Sequence, residues 1–173
     1  MSDALPIGLT WATLARSIAT TVLIGVLYAV LPVASDRRGA SVVILVTGLT
    51  VLGVVIVVRI RQLLSDPRPV VRAIEALSLV IPLFLAVFAW SYLSLSSADP
   101  SSFTEPLDKV TAIYFTIVVT GTVGFGDITP HTDLARLLVS GQIVLGLTLF
   151  TAVVRVVINI ARERFPHPPP KGQ

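Results

Sequence analysis

Charged residues cut the chain into uncharged, mostly apolar runs. Residues 17–35 lie between Arg16 and Asp36, residues 39–58 between Arg38 and Arg59, residues 76–98 between Glu75 and Asp99, and residues 137–154 between Arg136 and Arg155. Each approaches the ~20 residues an α-helix needs to cross ~30 Å of hydrocarbon. The pattern predicts four transmembrane helices, the last beginning near Thr132. A fifth run, residues 110–126, offers about ten helix positions and then turns glycine-rich. Ten helical residues reach only ~15 Å, half of a bilayer. Non-helical backbone is tolerated at membrane depth where protein encloses it or water bathes it. This run is therefore expected to enter from one side, stop midway and return to that side as irregular chain. A surface loop with a buried turn is the plainer alternative.

Composition agrees with lipid as the main solvent. Hydrophobic residues make up 54% and charged residues 13%, against roughly 25% charged in a soluble domain, and the mean hydropathy is +0.87. The expected class is an all-α membrane protein of one compact unit, without nucleic-acid partners. Cysteine is absent, which excludes disulfides and thiolate metal sites. Lys and Arg set the orientation. Arg59, Arg61, Arg68 and Arg72 fill the second loop, Arg162, Arg164 and Lys171 the tail, and Arg16 closes the N-terminal segment. The segment before the half-span holds Asp99, Glu105 and Asp108 against Lys109. Both termini are expected in the cytoplasm, with the half-span dipping in from outside; Arg37 and Arg38 run against this assignment. Reading the first span as a cleaved signal peptide leaves the other three unchanged.

The glycine-rich tract is T-G-T-V-G-F-G-D, Thr120 to Asp127. Glycine enters left-handed backbone conformations without steric cost. Gly124 and Gly126 alternate with Val123 and Phe125, a pattern that permits carbonyls of Thr122, Val123, Gly124 and Phe125 to face one side, with the Thr122 hydroxyl below. Such a row replaces the water around a bare cation, while the Val and Phe side chains pack away from it.

T-V-G-F-G-D resembles the T-V-G-Y-G-D selectivity filter of potassium channels, and the likeness extends over about residues 76–155 as outer helix, pore helix, filter and inner helix. It looks like the two-helix bacterial pore domain with two further helices in front. The resemblance implies a homotetramer with a central pore, four strands forming the oxygen cages that coordinate K⁺, the transported ion, with no organic cofactor and no enzyme activity. Thr122, Val123, Gly124 and Phe125 would coordinate it, with Gly126 and Asp127 supporting the filter. Residues 1–75 would form two leading helices and a cytoplasmic loop, residues 76–161 the pore domain, and residues 162–173 a short cytoplasmic tail, too short and proline-rich for a ligand-binding domain. The implied function is passive, potassium-selective conduction across the plasma membrane.

The sequence departs from the family at several positions. Phe125 replaces the commoner Tyr, Gly121 stands where Thr is usual, and Val118 sits where some relatives carry a Glu that pairs with the Asp after the filter. Asp127 then needs another partner, for which the Tyr114 hydroxyl is the candidate. Gly121 suits a helix C-terminus but would loosen the filter base. Gly121 and the missing glutamate are the support for an alternative, a non-conducting structural or regulatory subunit with a degenerate filter. Pro106 suits the first turn of the pore helix, Asp108 its positive end. By alignment Gly146 falls at the hinge position of the inner helix, with packing as the competing role, and Phe150 falls on the cavity side. Gly141 is another bend or packing site.

The remaining polar residues have plainer readings. Gly124 to Asp127 also fits the G-x-G-D signature of intramembrane aspartyl proteases, but no other Asp or Glu lies in the apolar runs to supply the second carboxylate. Arg155 either snorkels to the interface or contributes to a ring of charge at an inner gate. Asp133 and Arg136 are spaced as an i,i+3 pair, His131 reads as a solvated loop residue, and Gln142 as an interhelical hydrogen-bond donor. A voltage sensor needs repeated arginines within a span, and none of the runs has them. Arg59, Arg61, Arg68 and Arg72 are candidates for contact with anionic lipid headgroups.

Overall fold

The computed structural model describes residues 11–30, 38–65 and 69–164. These residues form five α-helices: α1 Trp11–Val30, α2 Arg38–Ser65, α3 Pro69–Ala98, α4 Lys109–Thr120 and α5 Asp133–Arg164. A helix covers the described part of each uncharged run, except that the fifth leaves its helix at Thr120. Residues 31–35 of the first run, residues 66–68 with Arg68, and residues 165–173 of the tail lie outside the described residues, as do Asp36 and Arg37. So do the side chains of Arg16, Arg38, Arg59, Arg72, Arg162 and Arg164; Arg61, the other loop arginine, is exposed.

Helices α2, α3 and α5 run beyond the charges that bound their apolar cores. A charge ends a membrane run but not a helix, because Arg and Glu are good helix formers. Thus α2 continues through Arg59 and Arg61, α3 starts at Pro69, where proline suits the first position, and α5 starts at Asp133 behind Thr132, whose hydroxyl accepts from the Ala135 N–H at 3.3 Å. Among the described residues, Glu75–Ala98 in α3 and Asp133–Arg155 in α5 are long and apolar enough to cross a membrane; the apolar stretches Ile18–Tyr28 of α1 and Val42–Val58 of α2 are shorter.

Helix α3 is the hub on which α1, α2, α4 and α5 all pack. Its inward face carries Phe84, Phe88 and Tyr92, each fully buried. The Tyr92 ring meets Phe103 and Phe115 edge-on at 5.8 and 5.2 Å. Two local features explain how the leading helices seat on α3. Pro82 lies inside α3 and has no N–H, so the Ser78 carbonyl four residues earlier loses its usual intrahelical donor. The Thr21 hydroxyl of α1 donates to that carbonyl at 3.1 Å. On the other flank α2 presses in at Gly48, where a Cβ would lie 2.7 and 2.9 Å from the two Val87 methyls. Glycine allows that approach, as small residues do between membrane helices.

The loops on either side of α4 hold each other. The Thr104 N–H donates to the Thr129 carbonyl at 3.0 Å, and the His131 N–H to the Ser102 carbonyl at 2.8 Å. The Tyr28 hydroxyl of α1 donates to the Lys109 carbonyl at 2.7 Å. The start of α4 is thereby fixed to the flanking loops and to α1, so its far end is aimed by the fold.

Candidate functional site

Helix α4 is fixed at its start by Asp108, the N-cap, whose carboxylate accepts from the Thr111 N–H at 2.7 Å. That backbone bond holds the Asp108 carboxyl below the ordinary carboxylate value. Pro106, expected in the first turn, instead lies two residues ahead of the cap. Asp108 takes the start because its side chain reaches the N–H three residues on.

The other end of α4 delivers the chain into the glycine-rich tract. Gly121 is the C-cap, with φ −73° and ψ −1°, so it does not use the left-handed freedom of glycine. A Cβ there would crowd the Ile117 carbonyl oxygen at 3.1 Å. The left-handed residue is the next one, Thr122, with φ 55°. The Thr122 N–H reaches the Val119 carbonyl at 3.1 Å and the Val123 N–H reaches the Val118 carbonyl at 3.0 Å. These two bonds make a Schellman ending, in which the left-handed position falls one residue after the cap. A β-branched residue is strained there, and the two bonds hold it in place.

Beyond Thr122 the alternation continues. Gly124 has φ 59° and Gly126 φ 80°, whereas Val123 and Phe125 stay outside the positive-φ region. Every second residue of 122–126 is thus left-handed. The Val123 and Phe125 side chains, expected to pack into protein, are 55% and 69% exposed in the single chain; their packing is not supplied from within it.

Asp127 ends the tract. Its Oδ2 accepts from the Tyr114 hydroxyl at 2.6 Å and its Oδ1 from the Ile128 N–H at 3.0 Å. The Tyr114 hydroxyl is the partner the sequence offered for this carboxylate, and its hydrogen bond is the main cause that lowers the Asp127 pKa, with burial opposing.

A hollow of about 360 Å³ opens beneath the tract, lined by Thr120, Gly121, Thr122, Gln142, Gly146 and Phe150 among others. Phe150 is 67% exposed in the single chain. At Gly146 a Cβ would meet the Phe84 ring at 3.8 Å, an ordinary contact, so close packing within the chain does not require glycine there. Arg155 is exposed on α5. Arg136, expected beside Asp133, instead directs its Nε to the Pro130 carbonyl at 3.4 Å. Gln142 is fully buried and donates to α4, at the Thr116 carbonyl (3.0 Å) and the Thr120 hydroxyl (2.7 Å).

Sequence reasoning found Gly124, Gly126, Tyr114 and the donor role of Gln142. It missed the left-handed Thr122. The signal available was the position of Gly121: a glycine directly after the last helical residue is one place too early for the left-handed position of a Schellman ending.

A family model described as "Ion channel" matches residues 80–163, which contain the tract and both helices that flank it. A calcium-activated potassium channel, slowpoke, of Drosophila melanogaster is 29% identical over 92 residues, covering 52% of this chain and 8% of the relative. Two pore potassium channel a of Oryza sativa subsp. japonica is 29% identical over 107 residues, covering 62% of this chain and 29% of the relative. The chain therefore spans less than a third of the length of either. No solved structure matches. Over residues 80–163, just under half of its length, the chain is thus similar to ion channels, and both relatives bear the names of potassium channels.

Proposed function

We propose that this chain is one subunit of a homotetrameric, potassium-selective channel that conducts K⁺ passively across the plasma membrane. Thr122, Val123, Gly124 and Phe125 present main-chain oxygens to the ion, Thr122 adds its hydroxyl, and Gly126 and Asp127 hold the mouth. The observation that carries this reading is the left-handed conformation at Thr122, Gly124 and Gly126. Alternating hands along a chain turns successive peptide groups to one side, as in the amide nests that bind anions. Here the oxygens take the inward place.

Two further observations support it. Non-helical backbone at membrane depth must be enclosed, yet Val123 and Phe125 are exposed in the single chain. Identical copies around an axis supply that enclosure, and four strands complete the cages of a potassium filter. The negative end of α4 points at the hollow, where four such ends lower the energy of a cation. Four membrane-crossing helices with both termini in the cytoplasm follow from the charge distribution, with α1 and α2 forming a collar on α3. Gly146, Phe150 and Arg155 are the candidate gating residues on α5, and Arg59, Arg61, Arg68 and Arg72 of the second loop are the candidates for contact with anionic lipid headgroups.

The departures that supported a non-conducting subunit have local replacements. Tyr114 takes the place of the absent glutamate as the partner of Asp127, and Gly121 caps α4 with its N–H bonded to the Ile117 carbonyl at 2.8 Å. In liposomes loaded with potassium, the purified protein should dissipate a potassium gradient and discriminate against sodium. Equal flux of the two ions, or none, would defeat the proposal.

A further inference from the structure

We propose that Gln142 is a positioning residue for the filter, locking the last turn of α4, and with it the left-handed Thr122, to α5 and α3. This inference rests on the channel reading above and goes beyond it.

Both N–H donors and the carbonyl oxygen of the Gln142 amide are engaged. Nε2 donates to the Thr116 carbonyl and to the Thr120 hydroxyl, while Oε1 accepts from the Tyr92 hydroxyl. The Thr120 hydroxyl in turn donates to the Thr116 carbonyl at 2.7 Å. A carbonyl only accepts, so the Thr116 oxygen fixes which end of the amide faces α4. Gln142, Tyr92 and Thr116 are all fully buried. Leucine would fill this space without demanding any partner. The amide instead specifies one orientation of three helices, because a misplaced turn would strand buried polar groups away from water.

Its anchor point is what gives the network a role in permeation. Thr120 is the last residue of α4 and lies two residues before the strained Thr122. Strained backbone persists only where its surroundings over-determine it. The Schellman bonds constrain Thr122 from within its own turn, and Gln142 constrains that turn from outside. Tyr92 does not line the hollow beneath the tract, and its ring contacts with Phe103 and Phe115 do not depend on the hydroxyl, so removing the hydroxyl reaches the filter by way of the amide.

The test is the sodium-to-potassium permeability ratio in planar bilayers, from reversal potentials, with melting temperature and oligomeric state measured alongside. Gln142→Leu should raise the ratio about fivefold to tenfold, the equivalent of one lost hydrogen bond at the filter base. Tyr92→Phe, which keeps the ring contacts with Phe103 and Phe115, should raise it by a smaller factor, and Thr120→Val likewise. Adding Tyr92→Phe to Gln142→Leu should change nothing more. A purely structural role predicts a lower melting temperature with an unaltered ratio, and that result overturns the proposal. Should Gln142→Leu fail to insert, unaltered ratios in both Tyr92→Phe and Thr120→Val overturn it. The wild type separates the two claims. A wild type that passes no potassium sinks the channel reading and this inference with it, whereas a selective wild type matched by Gln142→Leu sinks the role of Gln142 alone.

Discussion

Replacing Gly124 by alanine isolates backbone conformation from steric fit. A Cβ built at Gly124 meets nothing within 4 Å in the chain, so the substitution creates no clash there. What remains is the conformation itself, φ 59°, which an L-residue adopts at a cost of about 1–2 kcal/mol. With four strands around one axis the cost is about 4–8 kcal/mol per filter, or roughly three to six powers of ten against the conducting arrangement. Gly141 is the internal control. Its Cβ also meets nothing within 4 Å, but it sits in the middle of α5 without a positive φ, where alanine is the better helix former by about 1 kcal/mol. Both variants should insert and assemble. In a liposome assay of rubidium uptake, Gly124→Ala should fall to background and Gly141→Ala should match the wild type. Normal uptake by Gly124→Ala would refute the reasoning. Loss in both would show that room around the backbone, not its hand, limits the site.

Two further outcomes follow from single contacts. Gly48→Ala drives a methyl into Val87 and should destabilise the protein by about 1–3 kcal/mol, read as a lower melting temperature that Val87→Ala partly restores; an unchanged melting temperature would contradict the α2–α3 contact. Tyr114→Phe removes the bond that lowers the Asp127 pKa. A lowered carboxylate pKa contributes stability that is fully present above the ordinary value of 3.8 and is lost as pH falls through the lowered value. Wild-type current should therefore persist as the outer solution is acidified to that ordinary value, while Tyr114→Phe should lose current at a higher pH. Identical acid profiles for the two proteins would rule out the bond as a support of the filter mouth.

Much of the fold was legible because uncharged apolar runs become helices: a helix covers all of residues 39–58, 76–98 and 137–154, together with residues 17–30 and 110–120 of the other two runs. The ends were less legible, since Arg59 and Arg61 close a membrane run while α2 continues through them. Within the site, Gly124 and Gly126 announce a left-handed backbone because few other reasons place glycines two apart beside an apolar half-span. Thr122 carries no such mark. Its hand follows from where the hydrogen bonds of α4 run out, which depends on the register of the cap and not on the residue type. Gly48 was equally silent, because α2 is apolar on every face and nothing in its sequence says which side meets α3. The Thr21–Ser78 bond becomes intelligible only once Pro82 is seen to deprive a carbonyl of its donor. Gln142 could be read as a donor, but its partners lie 22 and 26 residues away on another helix, beyond what spacing reveals.

The most direct test of the central claim is an anomalous-scattering map of the assembled protein soaked in thallium or rubidium. The account predicts a file of ions on a shared fourfold axis, each ringed by main-chain oxygens of Thr122 to Phe125 from four copies. Ions absent from that tract, or carbonyls turned away from an axis the copies do not share, would contradict it.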